Sequence, residues 1–130
     1  MSDEAKALAK RIRAEYADLR FGICQFYGLG QMAPNDQSYR ILSVEAAGDE
    51  LSIGFQQAGG EGSPGYIRVQ RPRQLKAAAF GPGFAIESAD VLVLDESRVE
   101  RKGSEILQTN GGKTETWPLD PAAPALLLTR

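Results

Sequence analysis

The chain has 130 residues, 42% hydrophobic and 25% charged, with a formal net charge of −2; this is the length of one domain and the composition of an ordinary globular protein. No histidine and only one cysteine, Cys24, are present, which excludes Ser-His-Asp and Cys-His catalysis, histidine-ligated metals, an internal disulfide and paired-cysteine zinc or redox motifs. The near-neutral balance supplies no global attraction to nucleic acid or to an anionic membrane.

The first predicted element is a helix over about residues 3–19. Ala5, Leu8, Ile12, Tyr16 and Leu19 follow one another at spacings of three, four, four and three, which places them on one stripe of an amphipathic helix. Ser2 suits the N-cap, Asp3 and Glu4 suit the positive end of the helix dipole, and Lys10, Arg11 and Arg13 lie further on. The stripe contains no Trp or Phe, so docking on the chain's own sheet is expected in preference to a membrane surface. Met1-Ser2-Asp3-Glu4 is acidic where a secretory signal needs positive charge. The longest strictly apolar runs, such as Val91 to Leu94, are four residues long, far below the ~20 that span a bilayer. A cytoplasmic protein with no membrane partner is the expectation.

After Arg20 the hydrophobic period changes to two. Residues Phe21 to Tyr27 read as a strand with Phe21, Ile23 and Tyr27 on one face and Cys24 and Phe26 on the other. Tyr39 to Ala47, a Gly48-Asp49 turn and Glu50 to Gln57 form a hairpin whose register sets Leu42, Val44 and Ala46 opposite Phe55, Ile53 and Leu51. A glycine-rich loop follows to Gly65. Tyr66 to Gln70 and Gln74 to Phe80 are strands on either side of Arg71-Pro72-Arg73, and Phe84 to Glu87 and Val91 to Asp95 are two more. Arg98 to Lys102, Glu105 to Thr109 and Lys113 to Trp117 complete the series, with a Gly111-Gly112 turn that pairs Thr109 with Thr114 and Ile106 with Trp117. The tail carries Pro118, Pro121 and Pro124, then an apolar stretch from Ala125 that needs cover. The expected fold is α+β and mostly β: one helix and an antiparallel meander of about eight or nine short strands, closed as a barrel or strongly twisted, in a single domain over residues 1–130.

Three glycine patterns invite a phosphate-binding reading and fail on context. Gly28-Leu29-Gly30-Gln31-Met32-Ala33 has the spacing of a dinucleotide site, but Pro34-Asn35-Asp36 follows where a helix is required. Gly60 to Ile67 is similar to the glycine-rich loop of protein kinases over eight residues, with no His-Arg-Asp or Asp-Phe-Gly motif elsewhere. Gly111-Gly112-Lys113-Thr114 lacks the earlier glycine of a P-loop, the position being Leu107.

The local charge pattern is more informative. Tyr66, Arg68, Arg71, Arg73 and Lys76 make a stretch with four positive charges and no negative one, and Tyr with Arg is a combination that protein interfaces favour. The leading expectation is therefore a non-enzymatic binding domain that engages a protein partner, or a second copy of the chain as a homodimer, through an exposed sheet face or edge. Four basic residues and one tyrosine are too few for a nucleic-acid platform. A second expectation is a small β-barrel holding an apolar or aromatic molecule, lined by Phe21, Ile23, Tyr27, Phe55 and Trp117. A third is a carboxylate-dependent enzyme drawing on Glu87, Asp90, Asp95, Glu96, Glu100 or Glu105. No cofactor or metal ion is expected from any motif.

Overall fold

The computed structural model describes residues 3–16, 20–21, 23–29, 39–57, 65–77, 83–94 and 97–129. Helix α1 covers Asp3–Tyr16, with Asp3 and Glu4 in its first turn and Arg13 in its last; residues 17–19 of the expected helix lie outside the described set. Ala5, Leu8, Ala9 and Ile12 are buried, as the stripe requires.

Twelve short strands follow among the described residues: β1 (Arg20–Phe21), β2 (Ile23–Gln25), β3 (Tyr39–Ala47), β4 (Glu50–Gln57), β5 (Gly65–Gln70), β6 (Arg73–Ala77), β7 (Gly83–Glu87), β8 (Val91–Leu94), β9 (Ser97–Lys102), β10 (Glu105–Asn110), β11 (Lys113–Pro118) and β12 (Leu126–Thr129). They exceed the expected number in part because Phe21 to Tyr27 is not one strand, and in part because residues 126–129 add one. All pairings are antiparallel. Eight strands form a large sheet in the order β1-β3-β4-β5-β8-β9-β10-β11, and four form a small sheet in the order β2-β12-β7-β6. The outermost strands of the large sheet, β1 and β11, do not meet. The sheet is thus open and twisted, and the barrel alternative does not hold.

Alternation fixes which face is inside. On β5, Ile67 and Val69 are buried while Tyr66 and Arg68 are exposed, and the register continues the inner row through Leu51, Val69, Leu92 and Val99. One core unites Ile53, Ile67 and Leu92 of the large sheet, Phe84, Ile86 and Leu126 of the small sheet, and Leu8 and Ile12 of α1. The helix reaches both sheets. Arg13 Nη1 donates to the Val44 carbonyl on β3 at 2.5 Å, and Arg11 Nη1 to the Leu75 carbonyl on β6 at 3.4 Å.

The β3–β4 register is as expected from Ser43 opposite Gly54 to Ala47 opposite Glu50. It breaks above Ser43, where Phe55 faces Ile41 and not Leu42. A bulge there leaves Leu42 as the extra residue, 48% exposed, since one added residue is unpaired and the strand bends. No helix of the described residues is long and apolar enough to cross a membrane.

Candidate functional site

The basic stretch is divided by the fold. Tyr66 and Arg68 stand on the outer face of β5, which pairs on both sides with β4 and β8 and is therefore interior to the large sheet. Arg73 and Lys76 lie on β6, an edge strand of the small sheet. Arg71 connects them with its backbone at φ 54° and forms an ion pair with Asp90, while Lys76 is paired with Glu87 at 2.8 Å. Two of the charges are thus matched by carboxylates, and the stretch is a face and an edge on different sheets.

The candidate ligand-lining residues are also dispersed. Phe55 is buried in the core and Trp117 stands 42% exposed on β11, an edge strand exposed along its length. The side chains of Phe21 and Ile23 lie outside the described residues. Tyr27 is not on a strand: it occupies a turn at φ 50°, where its amide donates to the Pro124 carbonyl at 2.9 Å. Of the carboxylates, Glu87, Asp90 and Glu100 are each in an ion pair with a different cation, Glu105 is exposed, and Asp95 and Glu96 lie outside the described residues.

Tyr27 lines a cleft of about 460 Å³ between the small sheet and the β9 strand of the large one. Its apolar wall comes from Ala85 on β7 and Leu127 on β12, which face each other in register, and from Leu119 and Pro124 in the connection before β12. That connection is shaped by Asp120-Pro121, a pairing suited to the first two positions of a type I turn. The Asp120 carboxylate accepts from the Ala122 amide at 3.0 Å, and its carbonyl accepts from the Ala123 amide at 3.2 Å. The turn at Tyr27 packs closely on this segment: a Cβ on Gly28, at φ 77°, would lie 3.4 Å from Asp120 Oδ2.

The polar lining of the cleft is Lys76, Glu87, Ser88 and Arg101, with Lys76 beside Ala85 in the β6–β7 register. Tyr27 Oη donates to the Ala89 carbonyl at 2.6 Å. Burial raises the Tyr27 pKa above its ordinary value, an effect that the neighbouring Arg101 guanidinium opposes. The Arg101 backbone is anchored by donation from its amide to the Asp90 carbonyl at 2.8 Å. No carboxylate of the described residues forms an ion pair with Arg101. Ser88 adopts φ 57°. Among the described residues, left-handed backbone at a non-glycine position occurs at Tyr27, Arg71, Gln74 and Ser88, and the first and last of these line the cleft.

Sequence reasoning placed Tyr27 and Lys76 among its candidates for other reasons and missed Ser88 and Arg101. The Ser88-Ala89-Asp90 junction carries no turn signature that announces a positive φ, and Arg101 is one of several charges on an alternating strand. No known protein family, curated protein or solved structure matches the chain.

Proposed function

We propose that the chain is a non-catalytic binding domain that takes a small organic molecule into the cleft between its two sheets. The observation that carries this reading is the coincidence, in one concavity of about 460 Å³, of strained backbone at Tyr27 and Ser88 with a guanidinium that no carboxylate of the described residues pairs with. Pockets for small ligands commonly run to about 300–1,000 Å³ with apolar walls and a few placed polar groups, and backbone strain concentrates at functional sites. A fragment screen by ligand-observed NMR tests the reading when repeated on Ala77→Trp, because Ala77 lines the cleft yet is exposed and outside the core. Hits that disappear with Ala77→Trp support the cleft; hits indifferent to it, or none at all, reject it.

A second reading keeps the outer face of the large sheet as a docking surface for a protein partner or a second copy. It is favoured by Tyr66, 54% exposed, and Arg68 beside it on β5, with Leu42 48% exposed on the bulge of β3. Tyr and Arg are enriched where proteins meet. Sedimentation of the wild type against Arg68→Glu tests self-association, and pull-down with the same pair tests a partner; behaviour identical in both variants would remove this reading.

A further inference from the structure

We infer that the ligand of the inter-sheet cleft is an amphiphile bearing one negative charge, a carboxylate held by Arg101 with its apolar body on Ala85 and Leu127. The inference rests on the cleft being the binding site, as proposed above, and adds the chemical class of what enters it.

Among the described residues, the ionised groups lining the cleft are Lys76, Glu87 and Arg101. Lys76 and Glu87 neutralise one another across 2.8 Å, which leaves one net positive charge, on Arg101. A monoanion balances it, whereas a dianion brings a charge that no free cation among the described lining residues meets. Arginine presents several N–H donors in a planar fork, which matches the two oxygens of a carboxylate. The neighbouring Tyr27 phenol is fixed on the Ala89 carbonyl at 2.6 Å and the Arg101 amide on the Asp90 carbonyl at 2.8 Å, so the surroundings of the guanidinium are ordered before any ligand arrives, which lowers the ordering cost of binding. On the small-sheet wall Ala85 and Leu127 are paired across β7 and β12 and nearly buried, at 8% and 6% exposed, an apolar patch flanked by the Lys76–Glu87 pair, with Lys76 next to Ala85 in register. The patch suits a short hydrocarbon body.

Calorimetry at neutral pH with octanoate, 1-octanol and octyl phosphate, on the wild type and on Arg101→Met, Arg101→Lys and Ala77→Trp, tests this. The expected result is octanoate binding at least about tenfold more tightly than 1-octanol, with octyl phosphate no tighter than octanoate. Arg101→Met should abolish the preference, Arg101→Lys should restore part of it, and Ala77→Trp should remove all binding. Equal affinities for octanoate and octanol, both lost in Ala77→Trp, would overturn the charge assignment while leaving the cleft as the site. Octyl phosphate binding about tenfold more tightly than octanoate would overturn the single charge. No binding by any of the three probes, or binding unchanged in Ala77→Trp, would overturn the cleft and this inference together.

Discussion

The ring of Phe55 on β4 lies over Gly65 on β5, so closely that a Cβ at Gly65 would come within 2.8 Å of Phe55 Cζ. One step along the ladder the relationship is inverted on the other face, where Tyr66 lies over Gly54 and a Cβ there would meet Tyr66 Cε1 at 3.1 Å and Ser43 Oγ at 2.5 Å. Each aromatic ring thus covers the glycine of the neighbouring strand, a device that protects backbone left bare by a missing side chain.

The two glycines should respond differently to alanine. Phe55 is buried in the core and has no free direction, so Gly65→Ala is expected to lose about 1–3 kcal/mol by overpacking. Tyr66 is 54% exposed and has solvent to yield into, and the other close atom is a Ser43 hydroxyl on a single rotatable bond, so Gly54→Ala should lose less. Urea denaturation midpoints of both variants measure the contrast.

Tyr27→Phe should destabilise by about 1–3 kcal/mol, because the Ala89 carbonyl loses the hydroxyl that satisfies it in a buried setting. Calorimetric or urea unfolding near neutral pH provides the value.

The same variant has a signature in alkali. Since burial raises the Tyr27 pKa in the folded chain, the stability linked to this phenol is complete below its ordinary value of 10.0 and is lost as pH rises through the folded value. Wild-type stability should therefore fall more steeply than that of Tyr27→Phe between pH 10 and more alkaline conditions. Parallel urea titrations across that window decide it.

Much of the large sheet is legible in the sequence because turn chemistry and alternation agree there. Gly48, Gly103 and Gly111-Gly112 all adopt positive φ, and the expected pairs Ala46 with Leu51, Ile106 with Trp117 and Thr109 with Thr114 are those observed; the two threonine hydroxyls lie 3.2 Å apart. Alternation is a property of one strand, however, and says nothing about which sheet the strand joins. Hence the placement of β1 and β2 in different sheets, and the departure of the β6–β7 hairpin from the meander, left no trace. The cleft was illegible for the same reason: Tyr27, Ser88, Arg101 and Leu127 come from separate segments, and Tyr27 and Ser88 take backbone conformations that tertiary contacts impose against local preference.

At Ser88 that imposition is measurable. A non-glycine residue in the left-handed region costs about 1–3 kcal/mol, and glycine's extra freedom in the unfolded chain returns only part of it. Ser88→Gly, from φ 57°, is expected to raise stability by up to about 1 kcal/mol. Thermal unfolding measures the gain.

Ile106 and Trp117 face one another across β10 and β11, but only the isoleucine is enclosed, at 0% exposure against 42%. Ile106→Ala should cost about 2–5 kcal/mol, as truncation of a fully buried side chain does. Trp117→Ala should cost under about 1 kcal/mol, within the usual range for a surface change. Denaturant titration of each, followed by circular dichroism, separates them.

The position of β12 dictates an order of assembly. Its partners are β2, at Ile23–Gln25, and β7, at Gly83–Glu87, so the small sheet cannot close until residues 126–129 have returned across almost the whole chain. The β3–β4 and β9–β10–β11 hairpins need only their neighbours. Contacts that join distant segments form late, because loop-closure entropy must be overcome before they add stability. During synthesis the large sheet is therefore largely specified while the cleft does not yet exist, since Leu127 and the connection before it are the last parts of its wall to be made. A nascent chain halted before residue 126 would carry hairpins but no cleft, and the concavity would appear only as β12 is inserted.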